Sequence, residues 1–539
     1  MARSPFLGLR GARLNTVLMI VAGTEFLLFG YDQGVMGGLL TLPSFTNVFP
    51  EICTTKECNA LRSPAENSHV STIQGVSISS YNLGCFVGAL TAMRYGQVFG
   101  RRRTIFIGCT FVIIGAILQF ASFGLPQFIV GRVVCGFGTG INTSTVPVWQ
   151  SETTKPHQRG PVVAFGTSMV IAGVCLSYWI DYGFSFVKTS SVAWRFPVAF
   201  QIIFALIVLV MVLVMPESPR WLVHKDRVEE AAQVISALYD LPEQDPVVAD
   251  QLQAIRAVHS VDAKGSLNNM FIQGSLKNRT RMILGVSIQI LSQLTGINII
   301  TYYAAVIYQN EIGLSPGVSR LLAAGNGTQY FLASLFSIPF VKYFGRRKVL
   351  MTVSSGQAFA MVILAIMNSI GGRGPGIVAA AFLFVFNTFF GIGYAQVSWL
   401  YPAEITPLRI RAPANALSTS ANWICNFMVV MITPVAFNNI GWRTYLIFAV
   451  FNSAALPIMY FCYPETKGRS LEEVDLIFRD SKNLRQAVKL SFTMEMHYDS
   501  KGDMIRSVTH DIEDLDRDPH RPKERASEVE HHEEIVKGE

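Results

Sequence analysis

FGRRRTIFIGCTFVIIGAILQF (Phe99–Phe120) places three arginines directly before an uncharged apolar stretch. A second copy of the turn, FGRRK (Phe344–Lys348), runs into another apolar stretch at 349–370. A bilayer core takes about 20 apolar residues per helix, so each stretch is long enough to cross one. Working outward, such runs recur near 15–40, 73–95, 104–122, 126–149, 160–183 and 196–216. They resume near 281–309, 320–341, 349–370, 376–401, 411–434 and 443–463. The expected fold is an all-α membrane protein with twelve transmembrane helices in two six-helix bundles.

Composition agrees with this reading. Of 539 residues, 50% are hydrophobic and 15% charged, against a usual charged share of about 25%. Disorder, a disulfide-rich secreted module and an ordinary soluble enzyme are excluded. The net charge of +7 averages two regions. Residues 1–463 hold 31 basic and 18 acidic residues, a net of +13, and residues 464–539 hold 13 and 19, a net of −6. The first run is too long for a signal peptide and has no small-residue cleavage site, so it is expected to be retained.

Sidedness follows from lysine and arginine in the short loops. Arg3, Arg10 and Arg13 precede the first run. Arg94 and Arg101–Arg103 follow the second, Lys342 and Arg346–Lys348 the eighth, and Arg409 and Arg411 the tenth. Alternate loops are poor in basic residues, so both termini are expected to be cytoplasmic. The basic clusters report topology, and no nucleic-acid partner is expected. The expected organisation is a cytoplasmic N-terminus (1–14), a first bundle (15–216), a helical linker (217–280), a second bundle (281–463) and a tail (464–539). The tail is expected to be mostly disordered after about 480, with no metal role for His531 and His532. Cys53 and Cys58 share the external loop 41–72, where both a disulfide and two thiols remain open.

The two halves echo each other in three places. Beside the paired GRR turns, the fourth run leaves through PVWQSETTKPHQRG (Pro147–Gly160) and the tenth through WLYPAEITPLRIRA (Trp399–Ala412). The sixth run ends in PESPRWL (Pro216–Leu222) and the twelfth in YPETKGRS (Tyr463–Ser470). Such repeats mark an internally duplicated transporter. Glu152 with Arg159, and Glu404 with Arg411, are expected as ion pairs that latch the bundles in one state.

With GYDQG (Gly30–Gly34), GRVVCGFGTG (Gly131–Gly140) and QLTGIN (Gln293–Asn298) added, residues 15–475 resemble the sugar-porter branch of the major facilitator superfamily. NTSTVPVWQSE (Asn142–Glu152) and SYWIDYG (Ser177–Gly183) resemble the fungal sugar-transporter-like subgroup, which includes glycerol and sugar proton symporters. The resemblance implies solute contacts from Gln293, Asn298, Trp399 and Asn422. Gln289 shares a helix face with Gln293, and Phe29 is counted with the pocket. The family's usual acid before each GRR is replaced by Gln97 and Lys342, so the arginines Arg101, Arg102, Arg346 and Arg347 are expected to lean on Glu152 and Glu404. Thr167 and Ser292 stand where the family has glutamines, which implies a roomier or wetter pocket.

Intramembrane ionisable groups are costly and mark ion or substrate paths. Only Glu25 and Asp32 are read as acids well inside a span, with Arg132 the clearest buried base. The resemblance sets Asp32 opposite Arg132 as a protonation switch. Glu25, seven residues earlier, lies about 10 Å toward the cytoplasm at 1.5 Å per residue, as a proton exit station or as a vestibule carboxyl. The expected function is a plasma-membrane symporter importing a sugar, polyol or oligosaccharide with a proton. The rivals are an uncoupled facilitator and a nutrient sensor. No P-loop or HExxH motif occurs, so neither an enzyme nor a cofactor is expected.

Overall fold

The computed structural model describes residues 5–154, 159–188, 190–262, 270–469 and 471–494. The chain divides into a unit spanning Met1–Phe492 and a terminal unit, Thr493–Glu539, of which Thr493 and Met494 are described. Among the described residues there are helices and no strands.

The first bundle consists of α1 (Gly11–Leu39), α2 (Pro64–Phe99), α3 (Arg101–Phe120), α4 (Leu125–Thr153), α5 (Arg159–Phe184) and α6 (Val192–Val214). The second consists of α7a (Asn278–Leu294), α7b (Ile297–Val306), α8 (Pro316–Phe344), α9 (Arg346–Ile370), α10a (Arg373–Ile392), α10b (Tyr394–Ile405), α11 (Leu408–Ile440) and α12 (Arg443–Cys462). Ten of the helices among the described residues are long and apolar enough to cross a membrane. The helices α4 and α8, each 29 residues long, complete the twelve crossings. Buried polar side chains such as Asn142 and Asn326 lower their hydropathy.

Two expected spans are broken. Gly296, with φ +93°, separates α7a from α7b, and Gly393 separates α10a from α10b. A hydropathy run does not register such a break, because the glycine sits inside continuous apolar sequence. At Gly296 a side chain would have to adopt left-handed backbone and would meet the Phe448 ring 2.9 Å away.

Small residues set the packing of the first bundle. A Cβ on Gly136 or Gly140 would lie 2.1 Å from the Tyr81 or Cys85 carbonyl oxygen of α2. The two backbones therefore approach closely, as small-xxx-small interfaces in lipid allow. That contact brings Arg132 and Cys135 of α4 beside α1 and α2.

The linker forms three helices, Pro219–His224, Val228–Tyr239 and Pro246–Asp262. Arg10 and Asn15 tie the start of α1 to the middle one, through Ser236, Asp240 and the Leu238 carbonyl. After α12 come helices Leu471–Asp480 and Leu484–Thr493. The second lies within the tail beyond about 480, of which residues 495–539 fall outside the described residues. Ala487, Val488 and Ser491 are buried, and Ser491 accepts the Glu465 N–H. His531 and His532 lie outside the described residues. Cys53 and Cys58 form a disulfide.

Since successive crossings run antiparallel, the GRR turns and the linker share one end of the molecule, called here the basic end. The disulfide lies at the other.

Candidate functional site

The basic end repeats one arrangement in both halves. In the first, Arg101 grips Glu152 with Nε and a terminal nitrogen at 3.0 and 3.3 Å. The N–H groups of Arg101 and Arg102, at the start of α3, donate to Glu217 at 3.0 and 3.1 Å. In the second, Arg346 grips Glu404 at 3.0 and 2.6 Å, and the Arg346 and Arg347 N–H groups donate to Glu465 at 2.9 and 3.0 Å. Each carboxylate at a helix start satisfies donors that have no partner within the helix. Burial pushes the Glu217 carboxyl up from its ordinary range, against the pull of its backbone donors and Arg101.

The ion pairs here are Arg101–Glu152 and Arg346–Glu404. Each one lies inside its own half and braces that half. Glu152 is held by Arg101, and the Arg159 side chain lies outside the described residues. Glu404 receives Arg346 and the Thr466 hydroxyl, while Arg411 donates to the Thr406 carbonyl. The guanidiniums of Arg102 and Arg347 turn to the carbonyls ending α6 and α12. The acids Glu217 and Glu465, in the PES and PET motifs, were not singled out from sequence. Their signal is the shared position, one acid after each bundle's last helix.

In the middle of the second half, the break at Gly296 folds two amides together. Asn298 Nδ2 donates to Gln293 Oε1 although five residues separate them. Asn422 Nδ2 donates to Gln289 Oε1 at 2.7 Å, and Gln289 Nε2 donates to the Ser398 carbonyl at 3.0 Å. α7a, α10b and α11 thus meet at one polar patch, with Trp399 partly exposed. The Ser292 hydroxyl is spent on the Gln289 carbonyl. Thr167, on α5, is half-buried. Tyr302 and Tyr303 serve as fasteners, donating to Asn82 of α2 and to the Val430 carbonyl of α11.

The first half holds charge where the second holds amides. Asp32 is buried and accepts the Cys135 thiol at 3.0 Å, and its Oδ1 meets no donor. Arg132 lies within electrostatic reach but makes no ion pair with it. Instead it donates to the Ile78 carbonyl at 3.0 Å and lies 4.7 Å from the centre of the Tyr81 ring. The expected opposed pair is therefore present as neighbours with separate partners. Glu25 is 1% exposed, packed with Cys109 of α3, and its Oε1 meets no donor. It lies in the bundle interior, which corrects the vestibule placement.

A third deep acid was missed. Asp181 of α5 is also 1% exposed. It stands near the end of its run, where hydropathy alone reads a boundary. Trp423 was missed as well. Its ring meets Phe29 edge-on at 5.3 Å and Tyr81 at 6.4 Å.

Contacts that join the halves gather in the middle and at the disulfide end. The Tyr178 hydroxyl donates to the Thr301 carbonyl at 2.6 Å, and Trp179 Nε1 donates to Thr328 at 2.8 Å. Arg320 donates to the Thr41 hydroxyl and carbonyl at 3.0 and 2.7 Å. Asn310 donates to the Thr54 carbonyl beside the disulfide. A cavity of about 240 Å³ lies at this end, lined by Thr54, Gln74, Tyr303, Asn310 and Asn438.

Residues 17–478 match the family described as "Sugar (and other) transporter". The chain is similar to the "Sugar transporter STL1" of Saccharomyces cerevisiae, 41% identical over 88% of this chain and 83% of that one. It is similar to the "MFS-type transporter oryC" of Aspergillus oryzae, 39% identical over 89% and 88%. Among solved structures it superposes on the proton:xylose symporter XylE bound to 6-bromo-6-deoxy-D-glucose, with a TM-score of 0.71 and 24% identity over 86% of this chain and 99% of that one. That likeness speaks for the fold. The chain belongs to the sugar transporter family of the major facilitator superfamily.

Proposed function

We propose that this protein imports a sugar or polyol together with a proton across the plasma membrane, by alternating access, with both termini cytoplasmic. One observation carries the coupling. Arg132, beside Asp32, rests on the Tyr81 ring; Tyr81 meets Trp423; and Trp423 adjoins Asn422, which holds Gln289. A path of contacts thus runs from the charged centre of one half to the amides of the other.

The amides suit a neutral polyhydroxylated solute, since each offers donor and acceptor together. Gln293, Asn298, Asn422 and Trp399 are the proposed contacts, with Gln289 setting their positions. Protonation of Asp32 leaves Arg132 to its contacts on α2, and loss of the proton draws the guanidinium back toward the carboxylate. The ligand and the proton then favour the same arrangement of bundles, which is what coupling requires. In the present arrangement the disulfide end is fastened. The disulfide itself suits the oxidising outer side, which supports the proposed orientation.

The test is uptake of labelled hexoses, pentoses, disaccharides and glycerol in a transporter-null cell, with external pH recorded. Uphill uptake with medium alkalinisation, abolished by a protonophore, supports the proposal. Saturable uptake that never exceeds the external concentration and moves no proton overturns the coupling.

A further inference from the structure

Three buried carboxyl groups follow the course of α1. Glu25 and Asp32 belong to it, and Asp181 of α5 lies against it at Gly38, where a Cβ would fall 2.5 Å from Asp181 Oδ2. At 1.5 Å per residue, Glu25 to Asp32 covers about 10 Å and Asp32 to Gly38 about 9 Å of the bilayer normal. Each group has an oxygen outside good hydrogen-bond geometry: Oε1 of Glu25, Oδ1 of Asp32 and both oxygens of Asp181, the last with only the Gly38 N–H as a donor beside it. Buried polar atoms are ordinarily paired, so three such groups along one helix need a common explanation.

The surroundings of Asp181 argue against a static brace. Its nearest cation is Arg320 of α8, in the other half, and the two make no ion pair. Arg320 spends its donors on Thr41. The other titratable groups facing Asp181 are the hydroxyls of Tyr178 and Tyr31, which donate to the Thr301 and Pro197 carbonyls. Ser177, one turn back on α5, meets α1 at Gly34, and its hydroxyl donates to the Val174 carbonyl at 2.8 Å. Asp181 thus occupies the seam between the halves at the fastened end, with Asp32 and Glu25 farther along α1.

We propose that Asp181 is the outer loading station of the proton path. It takes a proton from the disulfide side and yields it inward to Asp32, with Glu25 beyond. Each transfer turns one carboxylic acid into a carboxylate and the next carboxylate into an acid, so no other reagent is required. Arg320 senses the charge on Asp181 across the seam, linking loading to closure of that end. This inference rests on the coupled reading proposed above.

The experiment compares wild type, D181N and D181E for medium alkalinisation per labelled solute, and for counterflow, an exchange that needs no net proton movement. D181N is expected to lose alkalinisation and uphill accumulation while keeping counterflow, and D181E to restore both. Alkalinisation per solute at the wild-type level in D181N overturns the assignment and leaves the coupled reading standing. Loss of counterflow in both variants makes Asp181 a packing residue and also overturns it. A wild type that moves no proton fails the coupled reading itself, and this inference with it.

Discussion

The two halves share a frame and differ in what they hold at mid-depth. At the basic end, Arg101, Glu152 and Glu217 match Arg346, Glu404 and Glu465 contact for contact. In the middle, the first half keeps Glu25, Asp32, Arg132 and Asp181, and the second keeps Gln289, Gln293, Asn298 and Asn422. The duplicated scaffold is conserved where it braces each half, and it diverges where one half handles charge and the other handles hydroxyls.

The largest expected effect breaks the shared frame. Removing one partner of a half-buried bidentate pair strands the other charge, at a cost of about 3 kcal/mol. R101A and R346A should lower the unfolding midpoint in detergent by similar amounts. A loss confined to one half would show that the frames are not equivalent. The next variant sharpens the difference between the middles. Q293A removes the acceptor held by Asn298 and should raise the half-saturating solute concentration roughly tenfold, about 1.4 kcal/mol. Alkalinisation per solute should stay unchanged, because Gln293 is far from the charges of the first half.

Y178F tests the seam. Losing the Tyr178–Thr301 contact should cost about 1 kcal/mol, enough to raise opening at the disulfide end roughly fivefold. A thiol reagent applied from that side to an introduced cysteine at 310 measures it. S491A should have the smallest effect, below about 1 kcal/mol. It removes the tail helix's acceptor for Glu465, so it should perturb the second half's frame alone.

The spans and the duplication were legible in sequence because hydropathy averages over a whole helix and the loop motifs repeat in order. The breaks at Gly296 and Gly393 were not, since one residue's backbone angle does not alter a hydropathy average. That concealed how Gln293 reaches Asn298. The basic-end arginines were legible together with Glu152 and Glu404, but the acids that receive their backbone N–H groups were not, because Arg101 and Glu217 are 116 positions apart in sequence. Asp181 was hidden by its place at the end of a run. Trp423 was hidden because buried aromatics are ordinary in membrane cores, and only its neighbours Phe29 and Tyr81 in the opposite half mark it.

The division of labour between the halves is tested most directly by D32N, with proton movement and counterflow recorded on the same cells. The account predicts no medium alkalinisation and no uphill accumulation, with counterflow and solute affinity retained. Alkalinisation that persists in D32N, with the wild-type proton-to-solute ratio, would contradict it.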